Sequence, residues 1–131
     1  MKISDKQRTF AVRVGSLLTF CNREEIPVRF GDAFRSTDRL KCSHCDELVS
    51  YQELLFYNGR SKVKSGNHNL RLAIDLIFDG ENKDVDCRKA GEYWESIGGG
   101  WGGRFGVKSE EFASKIGWDP GHFEWKDSTK G

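Results

Sequence analysis

Leu70-Arg71-Leu72-Ala73-Ile74-Asp75-Leu76-Ile77-Phe78 is a nearly continuous apolar run of strand length, closed by the turn signal Asp79-Gly80. A run that is apolar on both faces reads as a strand buried on most of its surface, in the middle of a sheet. Asp75 interrupts it. A carboxylate there is costly to bury unless a cation or a metal meets it, which leaves two readings: an ion pair, with Arg71 as the nearest partner, or metal ligation.

Working outward from that strand, Asn58-Gly59 marks a turn before it, and Leu48, Tyr51, Leu54 and Leu55 are spaced for an amphipathic helix within Ser36–Asn58. Ile26 to Phe34 contains a proline and alternating apolar residues, which suits a strand. Phe10, Val14, Leu17 and Leu18 predict a first helix from Asp5 to Phe20, with Ser4 or Asp5 as its cap. After the central strand, a helix is expected from Cys87 to Ile97, then a flexible loop over Gly98–Gly103. Gly117 to Gly121 forms a turn, and His122-Phe123-Glu124-Trp125 a short strand. Helices and strands without regular βαβ alternation favour an α+β fold around a small, mostly antiparallel sheet, as one domain over residues 1–131.

Composition narrows the function. Hydrophobic residues at 37% and charged residues at 31% give a globular balance, and a net charge of +1 provides no field to gather nucleic acid. No apolar run reaches the roughly 20 residues that span a bilayer. Met1 to Phe10 is polar, so no signal peptide is read there, and synthesis in a cytoplasm is expected. The four cysteines, at 21, 42, 45 and 87, then read as thiols or metal ligands before disulfides.

Of three histidines, two stand where zinc would use them. His68 opens the apolar strand, Asp75 follows within it, and His122 lies on the last short strand. Two imidazoles and one carboxylate leave the fourth zinc position open for water, the pattern of a catalytic site. Each residue taken singly has a plainer reading as a packed histidine or a buried ion pair.

The surrounding motifs are more specific. His68-Asn69-Leu70-Arg71-Leu72-Ala73-Ile74-Asp75 resembles the His-x6-Asp signature of zinc D,D-peptidases, the VanX- and VanY-type enzymes and phage L-alanyl-D-glutamate endolysins. Asp119-Pro120-Gly121-His122-Phe123-Glu124 resembles their second motif, and Phe34-Arg35-Ser36 their upstream element. Gly66 stands where the family usually has serine, and Arg71 where a glycine is common. The resemblance implies a hedgehog-like D,D-peptidase fold, zinc on His68, Asp75 and His122, and Arg35 facing the substrate carboxylate. It further implies a monomeric peptidoglycan peptidase acting on stem peptides, with phage L-alanyl-D-glutamate endopeptidase activity first and D-alanyl-D-alanine carboxypeptidase second. Such an enzyme reaches the wall by holin-type release or as part of a virion.

A base must take the proton of the zinc-bound water. Asp119, three residues before His122 across a Pro-Gly turn, is the first choice and Glu124 the reserve. Glu124 shares a strand face with His122 and so has a second role open to it, orienting the imidazole.

Cys42-Ser43-His44-Cys45 is the competing signal, half of a structural zinc site that Cys21 or Cys87 with His44 would have to complete. Those two lie in other segments, so no second zinc is expected; with one, the chain would read instead as a zinc-stabilised binding module. The glycine-rich stretch lacks the Lys-Ser/Thr ending of a phosphate loop. With Tyr93, Trp94, Trp101 and Trp118 nearby, this loop is expected to flank a substrate groove, and at least two of those aromatics are expected in the core.

Overall fold

The computed structural model describes residues 2–33, 39–41, 48–50 and 67–127. Helix α1, Ile3–Arg23, is followed by strands β1, Val28–Phe30, β2, Arg39–Lys41, and β3, Leu48–Ser50. A 3-10 turn at Asn67–Leu70 leads into β4, Ala73–Phe78, then helix α2, Lys83–Ser96, β5, Gly100–Trp101, and β6, His122–Glu124. Short 3-10 turns at Gly102–Arg104 and Ser109–Glu111 lie between β5 and β6. Strands β1, β4, β6 and β5 form one antiparallel sheet in that order, and β2 pairs with β3 in a separate antiparallel ribbon. The fold is α+β with a small antiparallel sheet, as the sequence indicates.

The sheet's two faces have different tasks. Side chains alternate along a strand, so Ile74, Leu76 and Phe78 of β4 share one face with Phe123 of β6. All four are buried, and they pack with Phe10, Leu17 and Cys21 of α1 and with Cys87, Ala90 and Trp94 of α2. Trp94 meets Phe10 and Phe123 edge-on at 5.7 and 6.1 Å, and its indole N–H donates to the carbonyls of Gly100 and Glu124. The buried indole therefore keeps its one donor satisfied. Asp75, His122 and Glu124 belong to the opposite face.

Several local expectations change. Leu48–Ser50 is a strand paired with Arg39–Lys41, not the start of an amphipathic helix, because ladder bonds to a partner outweigh the helical apolar spacing; Tyr51, Leu54 and Leu55 lie outside the described residues. His68 sits on the 3-10 turn rather than opening the strand, which begins at Ala73. Arg71 lies between them at φ 58, a left-handed conformation that glycine adopts freely and other residues at a cost. Helix α2 starts before Cys87, with Asp84 and Asp86 in its first turn, where acids favour the helix dipole.

The glycine-rich stretch is not a flexible loop. It carries strand β5 and a 3-10 turn, and Gly99, Gly102 and Gly103 are buried. A Cβ on Gly99 would fall 2.1 Å from the Trp94 indole and one on Gly103 2.2 Å from Trp101, so these glycines make room for the two core tryptophans. Cys21 and Cys87 are buried free thiols, and burial raises the pKa of both, that of Cys21 to about 11. Arg35, Cys42, His44, Cys45 and the predicted turn at Asn58-Gly59 lie outside the described residues.

Candidate metal centre

Sheet register assembles the site. In the antiparallel pairing of β4 with β6, Asp75 stands directly opposite His122, and directly opposed residues project to the same face. The ladder around Asp75 is tied on both sides: its N–H donates to the Asp32 carbonyl at 2.7 Å, its carbonyl accepts from Gly31 at 2.8 Å, and Leu76 N–H donates to Gly121 at 2.8 Å. The backbone that carries this carboxylate is thus held by two neighbouring chain segments.

His68 arrives from the 3-10 turn. Leu72 N–H donates to the Asn67 carbonyl at 2.9 Å, and the left-handed backbone of Arg71 closes this reversal. His68 Nε2 lies 3.2 Å from Asp75 Oδ1, and His122 Nδ1 3.1 Å from the same oxygen. The two imidazoles meet edge to face with ring centres 5.1 Å apart, and both histidines are buried.

Three acids surround His122. Asp75 and Asp119 stand on its Nδ1 side, Asp119 Oδ2 at 3.8 Å, while Glu124 Oε1 lies 2.6 Å from Nε2. Burial favours a neutral imidazole, but the hydrogen bonds to Asp75 and Glu124 outweigh it and raise the His122 pKa to about 9. Burial raises the Asp75 pKa, but the His122 hydrogen bond and the close approach of both imidazoles outweigh it and hold the carboxyl well below the usual carboxylate range. Carboxylates gathered on buried imidazoles form a nest for a cation, whether that cation is a proton or a metal.

The donor set fits a metal. One ligand atom from each of His68, Asp75 and His122 lies within 4.8 Å of the other two. Ligands at about 2.0–2.1 Å around tetrahedral zinc stand about 3.3 Å apart, close to the distances from Asp75 to each imidazole. Both ring nitrogens of His68 are buried without a hydrogen-bond partner among the described residues, and the 3.2 Å approach to Asp75 lacks hydrogen-bond alignment. An unsatisfied buried nitrogen costs about 1–3 kcal/mol, a cost that ligation removes. The structure thus brings together His68, Asp75, His122, Asp119 and Glu124, all of the sequence's candidates among the described residues.

Two contributors carried no sequence signal. Phe105 packs against the His122 ring at 5.6 Å, and Gly102 lies under the Asp119–His122 turn, where a Cβ would come within 2.0 Å of the Asp119 carbonyl and 2.9 Å of the His122 Cβ. Their roles follow only from the tertiary packing of the 3-10 turn against β6.

No family model and no curated protein sequence matches the chain. Among solved structures, that of the Serratia marcescens L-Ala D-Glu endopeptidase ChiX is similar at a TM-score of 0.45 and 19% identity, covering 77% of this chain and 68% of that one. The likeness is slight.

Proposed function

We propose that this protein is a zinc-dependent peptidoglycan peptidase, of the L-alanyl-D-glutamate endopeptidase type found in phage endolysins. The observation that carries the reading is the cluster of His68, Asp75 and His122, both histidines buried, with the more exposed Asp119 3.8 Å from His122 Nδ1. His68, Asp75 and His122 would hold the zinc ion, which when bound would supply Lewis acidity toward a water and the scissile carbonyl.

The acids divide the remaining work by position. Asp119 stands on the Nδ1 side of His122, the side that faces Asp75, and its side chain is 40% exposed against 25% for Asp75. It is placed to take a proton from the attacking water and to return it to the leaving amine. Glu124 lies at the far nitrogen and fixes the ring's orientation, as a carboxylate behind a ligating histidine does. Glu124 thus acts through His122 rather than on the substrate. Arg35 binds the substrate carboxylate in this proposal, on the strength of its Phe-Arg-Ser motif.

Purified peptidoglycan tests the reading. The zinc-loaded protein is expected to release soluble stem peptides, to stop when a chelator strips the metal, and to resume on adding zinc. Release that continues at full rate in the zinc-stripped protein would refute it.

A further inference from the structure

From the proposed base to the proposed ligand the chain runs Asp119-Pro120-Gly121-His122, and its first three carbonyls all have donors. The Asp119 carbonyl accepts the His122 N–H at 3.1 Å, that of Gly121 accepts the Leu76 N–H at 2.8 Å, and that of Pro120 accepts the indole N–H of Trp101 at 2.8 Å. The first two bonds belong to the turn and the sheet, whereas the third comes from a side chain. Trp101 is 2% exposed and closely fitted: a Cβ on Gly91 of α2 would fall 2.1 Å from its ring and one on Gly103 2.2 Å. Arg104 lies over the indole, its guanidinium carbon 4.9 Å from the ring centre, and Glu95 holds that guanidinium through hydrogen bonds of 3.1 and 3.0 Å. The indole cannot follow a moving turn, so the turn is held where the indole is.

We propose that Trp101 is a positioning residue for peptide cleavage, its indole N–H setting the geometry between Asp119 and His122; the proposal rests on the peptidase reading. Each residue has two soft backbone dihedrals. At Pro120 the ring locks φ at about −65°, which leaves ψ, the angle that aims the Pro120 carbonyl. The indole N–H fixes that aim. Because β4 holds Gly121 and His122 through its ladder, rotation about the freed bond would swing Asp119 against a stationary His122. A buried indole needs an acceptor in any core, and Trp94 shows that plainer use: it is equally buried, but its N–H donates to the carbonyls of Gly100 and Glu124, on the paired strands β5 and β6. Trp94 braces the sheet, and Trp101 braces the turn that carries the base.

A double-mutant cycle on stem-peptide cleavage separates this role from a merely structural one. Trp101→Phe should keep its zinc, hold KM within about 2-fold and lower kcat about 10- to 100-fold, the scale of a reacting group displaced by up to 1 Å. In the Asp119→Asn background the same change should cost less than about 2-fold, because no base is left to misplace. Additive losses overturn the role, since a general loosening of the fold would slow both proteins alike. The same coupling from Trp94→Phe would mark it as a property of the whole core and overturn the role as well. Should Trp101→Phe not fold, 3-benzothienylalanine at position 101 keeps the two-ring shape with sulfur in place of the N–H; a lowered kcat is expected, and an unchanged kcat overturns the role. Stem-peptide release with an additive cycle leaves the peptidase reading in place. A zinc-loaded unmodified protein that releases no stem peptide removes that reading, and the role of Trp101 with it.

Discussion

Gly102→Ala places one methyl group where the structure has no room for it. The new Cβ would lie 2.0 Å from the Asp119 carbonyl oxygen, whereas real Cβ atoms essentially never come closer than 3.0 Å. Backbone must therefore give way by about 1 Å. The Asp119 carbonyl accepts the His122 N–H at 3.1 Å and the same Cβ presses on the His122 Cβ at 2.9 Å, so the displacement reaches both the proposed base and a proposed ligand. Overpacking of this kind costs about 1–3 kcal/mol, and each kcal/mol lowers Tm by roughly 3–5 °C in a chain of this size. A displacement of about 1 Å at reacting groups costs on the order of 100-fold in rate. Thermal melting, zinc affinity and peptidoglycan release measured on one preparation should show a folded protein with weakened zinc binding and this loss of rate. Gly15→Ala is the control: a Cβ there meets nothing within 4 Å, and the change favours helix α1 by up to about 1 kcal/mol. A Gly102→Ala protein with a lowered Tm but unchanged zinc affinity and rate would refute the placement of Asp119 and His122 in the active site.

Other expectations follow from the same geometry. In the metal-free protein the His122 pKa is raised to about 9, so zinc must displace a proton from it below that pH; apparent zinc affinity should rise about tenfold per pH unit between roughly 6.5 and 9. The same raised pKa stabilises the metal-free fold fully below the ordinary histidine value and ceases to do so as pH climbs through about 9, so metal-free Tm should fall across that window; a flat profile in both measurements would contradict it. Asp119→Asn should keep zinc and lose two or more orders of magnitude in rate, whereas Glu124→Gln should weaken zinc binding about 10- to 100-fold; the opposite pairing of effects reverses the two roles. His68→Ala, Asp75→Ala and His122→Ala should each lose most bound zinc by elemental analysis together with activity, and full occupancy in any of them removes that residue from the ligand set.

The fold class and the chemistry of the candidate cluster were legible in the sequence, and the pairing that joins the cluster was not. A lone carboxylate in an apolar strand is a chemical anomaly visible without coordinates, and the motifs around His68 and His122 set it beside two histidines rather than beside Arg71 alone. Alternation along β6 likewise placed Glu124 on the His122 side, where the structure has it. Long-range pairing was not legible: that Asp75 faces His122 is a matter of register between segments 47 residues apart. Leu48–Ser50 became a strand because its partner lies elsewhere in the chain, and the glycines after α2 became packing positions because two indoles need the space. Trp94 and Trp101 joined the core and Trp118 stayed out, a division that an aromatic-rich stretch does not announce.

The most direct test of the peptidase account is mass spectrometry of muropeptides digested by the zinc-loaded protein. The account predicts fragments ending in a free L-alanine carboxyl and fragments beginning with a free D-glutamate amine, absent in the Asp119→Asn control. Loss of terminal D-alanine instead would move the activity to a carboxypeptidase. Intact muropeptides in the presence of protein with one zinc bound at His68, Asp75 and His122 would contradict the account.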